Sequence, residues 1–413
     1  MMQTQQRRSL FNTLVSTADW GGRTTRAEIH LDAIRDNVRV MRAAIAATEF
    51  LAVVKSDGYG HGAVAAGRAA IQGGATRLGV YTVDEGVSLR RAGLTAPILV
   101  FGPFTAGEAL EICAYNLTPT ITTIEAARTL AAAAEGQPRM VHIKLDTGLT
   151  RNGVLPEDAL PLLNVVSELA GLVPEGIFTH FARSDEADKT STETQFRRFT
   201  EAVSFLADHG HTFALHHVAA SGAVHDLRHM HLDMIRSGIS VYGYYPSDEV
   251  SRTIPLRPAL HLVSTISRVH VAQPGTGVGY GHEFVCDRPT PIALVPIGYG
   301  DGLPRTFGRG NGRVLIGGQS VPVVARVSMD QITVDVSGLD HVHVGDEAVL
   351  IGQSEDAVQT ADDLAQQTGT INYDILCGIM PRVPRIYVDG GAIISATRYY
   401  SPIPRDTGTS PEA

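Results

Sequence analysis

Between Phe50 and Ser237, short β-branched runs alternate with alanine-rich helical stretches, and no other feature of the chain restricts its fold so much. Strands are predicted at 50–55, 77–81, 97–101, 117–121, 140–145, 175–180, 213–218 and 232–237. Helices are predicted between most of them, at 84–92, 106–115, 124–134, 157–170 and 192–209, while the last connection, 222–229, is short and irregular. Eight strands with intervening helices point to an α/β fold, a TIM-like (β/α)8 barrel. A doubly wound sheet is the competing architecture, but no GxGxxG follows the first strand. A barrel carries its chemistry at the C-terminal ends of its strands, and Lys55, Lys144, His180, Ser221 and Arg236 all fall at such ends.

Ahead of this region, Ala27, Ile29 and Leu31 alternate as a short strand, and Leu31, Ile34, Val38, Met41 and Ile45 follow helical spacing. From Pro255 the helical alternation stops, and prolines, glycines and short β runs take over, which predicts a second, mostly β domain. The expected organisation is a flexible N-terminus at 1–24, a barrel at 25–254, a β-rich domain at 255–400 and a flexible tail at 401–413. The formal charge of −9 argues against nucleic acid as a partner. No apolar run approaches the length that spans a bilayer. Arg7-Arg8 suggests twin-arginine export, but the segment after it lacks a sustained apolar core. Cys113, Cys286 and Cys377 are far apart and odd in number, so reduced core thiols in a cytoplasmic protein are expected.

The chemistry begins at AVVKSDGYGHGA, residues 52–63. An apolar strand delivers Lys55 into a glycine-rich turn, and partial desolvation there would lower its ammonium pKa, as an amine that forms a Schiff base requires. The Gly58-Tyr59-Gly60 turn lets backbone and a phenol approach an anion such as phosphate. Arg236 interrupts an otherwise apolar strand, which is costly unless the charge is paired. Sixteen histidines invite a metal reading, yet no HExxH or carboxylate-rich set accompanies them, so no metal is expected. Taken singly, a lysine after a strand, a strand-end histidine or a tyrosine in a glycine turn is a solvated or packing residue.

Taken together these strings resemble the alanine racemase family, in order from about Ala27 to Val388. Val54, Lys55, Asp57, Tyr59, Gly60, His61 and Gly62 fit that family's pyridoxal-phosphate lysine motif, with Ser56 and Gly58 where alanine is commoner. KLDTGLTRNG (144–153), THFA around His180, HVAASGAV (217–224), MIRSGISVYG (234–243), GVGYGHEF (277–284), PIGYGDGLPR (296–305), RVSMDQ (326–331) and INYDILCGIMPRVPR (371–385) also have counterparts there. The resemblance implies pyridoxal 5'-phosphate as cofactor, carried on Lys55. Tyr59, His180, Ser221, Arg236, Gly238, Ile239 and Tyr373 would surround it, Arg236 facing the pyridine nitrogen. Arg151 and the Met329 backbone would meet the substrate carboxylate, and Lys144 matches a lysine that is carbamylated in many members. Ala220 stands where the family has asparagine, which removes one amide from the cofactor site.

Racemisation needs two proton-transfer groups on opposite faces of the reacting centre. By the resemblance these are Lys55 and Tyr280, interconverting L- and D-alanine and supplying D-alanine. A phenol needs positive surroundings to act as a base, and Arg236 and His180 are expected to provide them. The family's second-domain residues act on the partner subunit's barrel, so a homodimer with shared active sites is implied. The alternatives are a racemase of the same fold for serine or a non-protein amino acid, a decarboxylase, and a cofactor carrier without turnover. A decarboxylase would place an acidic residue where Arg236 stands, and a carrier would lack the domain holding Tyr280 and Met329.

Overall fold

The computed structural model describes residues 22–397. The expected flexible tail, Arg7-Arg8 and all but the last three residues of the expected flexible N-terminus lie outside that range. Two sheets dominate. The smaller contains Glu49–Val53 (β2), Arg77–Val80 (β3), Ile98–Val100 (β4), Thr118–Ile121 (β5), Arg139–Lys144 (β6), Leu172–Phe178 (β7), Leu215–His217 (β8) and Met234–Ser237 (β9), after a first strand, Arg26–His30 (β1), that belongs elsewhere. Its order is β8-β7-β6-β5-β4-β3-β2-β9, and every ladder is parallel. The Arg236 N–H donates to the Ala219 carbonyl (2.9 Å), and an isolated bridge joins Ala220 to Arg236, closing β9 on β8. All eight expected strands are therefore present, as a closed parallel barrel.

Local chemistry explains the outer helices. Thr82 and Thr105 each accept a backbone N–H three residues on, and Glu85 and Glu108 return the bond, forming capping boxes before Val83–Arg91 and Ala106–Ala114. Helix Leu31–Ala44 buries Leu31, Ala33, Ile34, Asn37, Val38 and Met41. Its Asn37 side chain donates to the carbonyls of Val241 (3.2 Å) and Arg257 (2.8 Å), tying the exit of β9 to the approach of the second domain.

β1 departs from the expected domain plan. It lies in the larger sheet, antiparallel to Leu260–Thr265 and parallel to Arg385–Asp389, although 25–254 was expected to form the barrel. The reason is visible in its burial: all five residues are covered, as in a strand flanked on both edges, whereas an outlying hairpin strand would alternate. Both ends of the second domain thus clasp a strand from the start of the chain, and one apolar core runs through both sheets.

This clasp also contains a group of three potential metal ligands, Glu28, His30 and His261. Glu28 already accepts the Arg26 guanidinium at 2.7 Å, so a cation occupies the place beside the carboxylate. Helix Asn372–Gly378 leaves the second domain and lies on the turn after β2. A Cβ on Gly60 would sit 2.1 Å from the Leu376 carbonyl oxygen, and the buried Arg385 donates to the Gly60 carbonyl (3.1 Å). Among the described residues no helix is long and apolar enough to cross a membrane.

Candidate active site

β2 ends and the chain enters a left-handed turn. Ser56 (φ 53°), Asp57 (φ 51°), Gly58 (φ 62°) and Tyr59 (φ 51°) all have positive φ, and Gly60 follows at 80°. Each non-glycine residue there costs about 1–2 kcal/mol, so surrounding bonds must hold the turn. They are present. The Ser56 N–H donates to Glu85 Oε1 (2.6 Å), Gly58 N–H to the Val54 carbonyl (2.9 Å), and Ala63 N–H to Asp57 Oδ1 (2.9 Å). Lys55 stands at the head of this turn, half-buried, and its ammonium pKa is lowered by burial first and then by the charge of Arg151.

The turn delivers Tyr59 into a buried aromatic group, 5.0 Å from the Tyr242 ring and 6.0 Å from the Tyr373 ring. Tyr242 is itself pinned, its hydroxyl donating to the Val53 carbonyl (3.0 Å). A Cβ on Gly238 would lie 2.5 Å from the Tyr59 hydroxyl oxygen, so only glycine permits this approach. Ser221 opens the short helix after β8, and its Oγ accepts the Gly238 N–H at 3.1 Å. Ser221, Gly238, Ile239 and Tyr59 consequently meet at the ends of β8 and β9.

Opposite them lies a set of cations. Arg236 is buried and donates to the carbonyls of His217 (2.8 Å), Thr179 (2.8 Å) and Val218 (3.2 Å), and to Nδ1 of His217 (2.9 Å) and of His180 (3.3 Å). Burial draws its pKa down to about 9, above neutrality, so it stays charged. Both imidazoles are held neutral, by burial first and then by Arg236. Lys144 ends β6, 5.9 Å from the Phe178 ring centre, and its pKa falls to about 8 through burial, then Arg151 and Arg236. Arg151 is exposed on a loop organised by Asp146, whose carboxylate accepts the N–H groups of Gly148, Leu149, Thr150 and Arg151 at 3.0–3.1 Å.

Lys55, Lys144, Arg151 and Arg236 thus act on one another electrostatically, and the nearby carboxylates Asp146 and Glu85 are already committed to backbone. Such a donor set, beside a hydroxyl and amide cradle, fits an anionic cofactor with a phosphate and a substrate carboxylate.

The second domain contributes unequally. Tyr373 reaches the Tyr59 ring of its own chain, which departs from the expectation that second-domain residues serve a partner's barrel. Tyr280 is 70% exposed and Met329 53% exposed, and no hydrogen bond joins the Tyr280 side chain to the barrel among the described residues. The Met329 carbonyl accepts the Gly300 N–H (2.8 Å) and Arg382 Nη2 (3.2 Å), while the buried Asp301 holds Arg382 and Arg23. Of the three thiols expected in the core only Cys286 is buried; Cys377 is exposed, on the helix that reaches the Lys55 turn.

Sequence reasoning overlooked Asp146, His142 and His217. His142 lies two residues before Lys144 in β6 and so shares its face, a signal that was available. His217 was passed over among many histidines because only the closed barrel brings it to Arg236.

The family models for the alanine racemase N-terminal and C-terminal domains match residues 29–246 and 259–387. The alanine racemase of Desulforamulus reducens is 43% identical over 370 residues, covering 88% of this chain and 98% of the relative. That of Desulfovibrio desulfuricans is 42% identical over 366 residues, with the same shares covered. Among solved structures, alanine racemase from Clostridium difficile 630 superposes with a TM-score of 0.87 at 35% identity, over 92% of this chain and 99% of that one. The enzyme from a D-cycloserine-producing Streptomyces lavendulae gives 0.85 at 37% identity, over 89% and 98%.

Proposed function

The chain belongs to the alanine racemase family, a family of isomerases, and from that premise we propose that it interconverts L- and D-alanine with pyridoxal 5'-phosphate. The observation that carries the reading is the meeting of Lys55, Lys144, Arg151 and Arg236 beside the Ser221–Gly238–Tyr59 cradle, a site built for an anion next to a partly desolvated amine. Pyridoxal phosphate, when bound, supplies an electron-withdrawing ring that makes the substrate α-proton labile.

The chain's own groups do the rest. The Lys55 amine would hold the cofactor, and it is the group that would take or return the substrate α-proton on one face. Ser221 Oγ, the amides of Gly238 and Ile239, and the hydroxyls of Tyr59 and Tyr373 would hold the phosphate. Arg236 keeps its proton on the guanidinium and would offer the cofactor ring a hydrogen-bond donor that does not give its proton up. Such a donor would limit how much charge the cofactor draws from the reacting carbon, which would disfavour side reactions such as transamination. Arg151 binds the substrate carboxylate through its planar fork. Lys144, with its pKa near 8, is partly neutral at physiological pH and open to attack on carbon dioxide. The new N–C bond releases a proton and leaves a carbamate anion between Arg151 and Arg236.

The second face requires Tyr280, which stands exposed on the second domain. A homodimer in which each copy lends Tyr280 and the Met329 backbone to the other's barrel supplies it. The reading is tested with purified chain and added pyridoxal phosphate, following deuterium exchange at Cα and product chirality over a panel of L-amino acids. Alanine should lead by a wide margin. Another amino acid in the lead would move the substrate, and exchange with none would refute the racemase assignment.

A further inference from the structure

A line of side chains crosses the barrel interior behind Arg236. His217 Nε2 lies 2.8 Å from His142 Nδ1, and His142 Nε2 lies 3.1 Å from Glu175 Oε2. Glu175 accepts both Nη groups of Arg77 (2.8 and 3.0 Å), the first residue of β3, which also approaches Glu49 at the start of β2. The line therefore runs from the catalytic end of the barrel towards its N-terminal end, through β9, β8, β6, β7 and β3. Its space is built. A Cβ at Gly176 would lie 2.6 Å from His142 Cε1, and the Phe178 ring stacks on His217 at 4.6 Å and 10°.

We propose that Glu175, clamped by Arg77, is a positioning residue for Arg236, because it anchors through His142 and His217 the far end of a line of hydrogen bonds that all point away from Arg236. The assignment rests on the racemase reading for its consequence, though not for its geometry. Arginine only donates, so His217 Nδ1 accepts; a neutral His217 then carries its hydrogen on Nε2 and donates to His142 Nδ1. His142 accordingly carries its hydrogen on Nε2 and donates to Glu175. Starting from the other end gives the same answer, since an ionised carboxylate only accepts.

The side chains hydrogen-bonded to Arg236 are two neutral imidazoles, His217 and His180, and Glu175 is the carboxylate that reaches it through His142 and His217. Were residue 175 able to donate, the line would reverse and aim an N–H of His217 at the N–H of Arg236. The guanidinium would then have to turn away from the position in which it would meet the cofactor.

The test uses the full chain with pyridoxal phosphate bound and 15N-labelled histidine, comparing wild type, Glu175→Gln and Glu175→Asp. Both His142 and His217 should be neutral Nε2–H tautomers in wild type. Glu175→Gln should move His217 towards Nδ1–H and lower kcat roughly tenfold with KM little changed. Glu175→Asp, which keeps the charge, should restore both. A wild-type His217 that is cationic or Nδ1–H overturns the proposal, and decides the matter even if Glu175→Gln does not fold. Unchanged tautomers, or shifted tautomers with wild-type kcat, in Glu175→Gln also overturn it. Absence of racemisation in wild type would instead refute the function, leaving the tautomer result to stand or fall separately.

Discussion

Replacing Gly238 by alanine isolates the approach on which the proposed phosphate cradle depends. The added Cβ would lie 2.5 Å from the Tyr59 hydroxyl oxygen and 3.2 Å from its Cζ. Ordinary contact requires the hydroxyl to retreat by about 1 Å. Tyr59 has little freedom to do so, because its backbone is held at φ 51° and its ring lies between Tyr242 and Tyr373. Overpacking of this kind costs about 1–3 kcal/mol of stability. It also displaces Tyr59 and the Gly238 amide together, so pyridoxal phosphate affinity should fall at least about tenfold, equivalent to about 1.4 kcal/mol. Removing the hydroxyl leaves only the 3.2 Å contact with Cζ, which a small shift relieves. The double variant Gly238→Ala/Tyr59→Phe should therefore regain about 1 kcal/mol or more relative to the sum of the single changes. Denaturant unfolding at fixed chain and cofactor concentrations, with cofactor titration by absorbance, measures both quantities. Strictly additive stabilities, or wild-type cofactor affinity in Gly238→Ala, would refute the reasoning.

Other perturbations address separate parts of the site. Tyr280→Phe should bind cofactor normally yet lose racemisation by about 100-fold or more, since the proposed second proton-transfer group is removed; wild-type-like rates would break the two-base assignment. Asp146→Ala releases four loop amides from their acceptor and should raise KM for alanine roughly tenfold through disordering of Arg151, with the cofactor absorbance unchanged. An unaltered KM would show that the loop holds without it. The Glu175 carboxyl is held down to about 2 from an ordinary 4.5 by His142, then by Arg77 against the opposing effect of burial. Because its folded pKa is depressed, its contribution to stability is complete above about 4.5 and disappears as pH falls through 2. The stability gap between wild type and Glu175→Gln should be at most about 3 kcal/mol near neutrality and close progressively across that window; a gap independent of pH would contradict it.

Legibility in the sequence followed the range of the forces involved. The strand ends that carry Lys55, Lys144, His180 and Arg236 were readable because alternation and turn chemistry are local. The place of β1 was not, since a fully buried strand of five residues looks alike in a barrel or in a clasped sheet, and partners more than two hundred residues away choose between them. Tyr373 and Tyr280 both read as second-domain site residues. Only the packing of helix Asn372–Gly378 on Gly60 brings Tyr373 to its own barrel while Tyr280 stays exposed. His217 escaped notice because its partner, Arg236, lies across the closure of the sheet.

The amino-acid order by itself determined a parallel barrel with a β-rich extension and put the candidate reactive groups at its strand ends, because hydrophobic period and glycine placement act over a few residues. Tertiary structure decided which groups share a field. The ammonium groups of Lys55 and Lys144 become stronger acids, and His180 and His217 stay neutral, only because folding buries them within reach of Arg151 and Arg236. Such shifts depend on burial and on distances through space that no local pattern records.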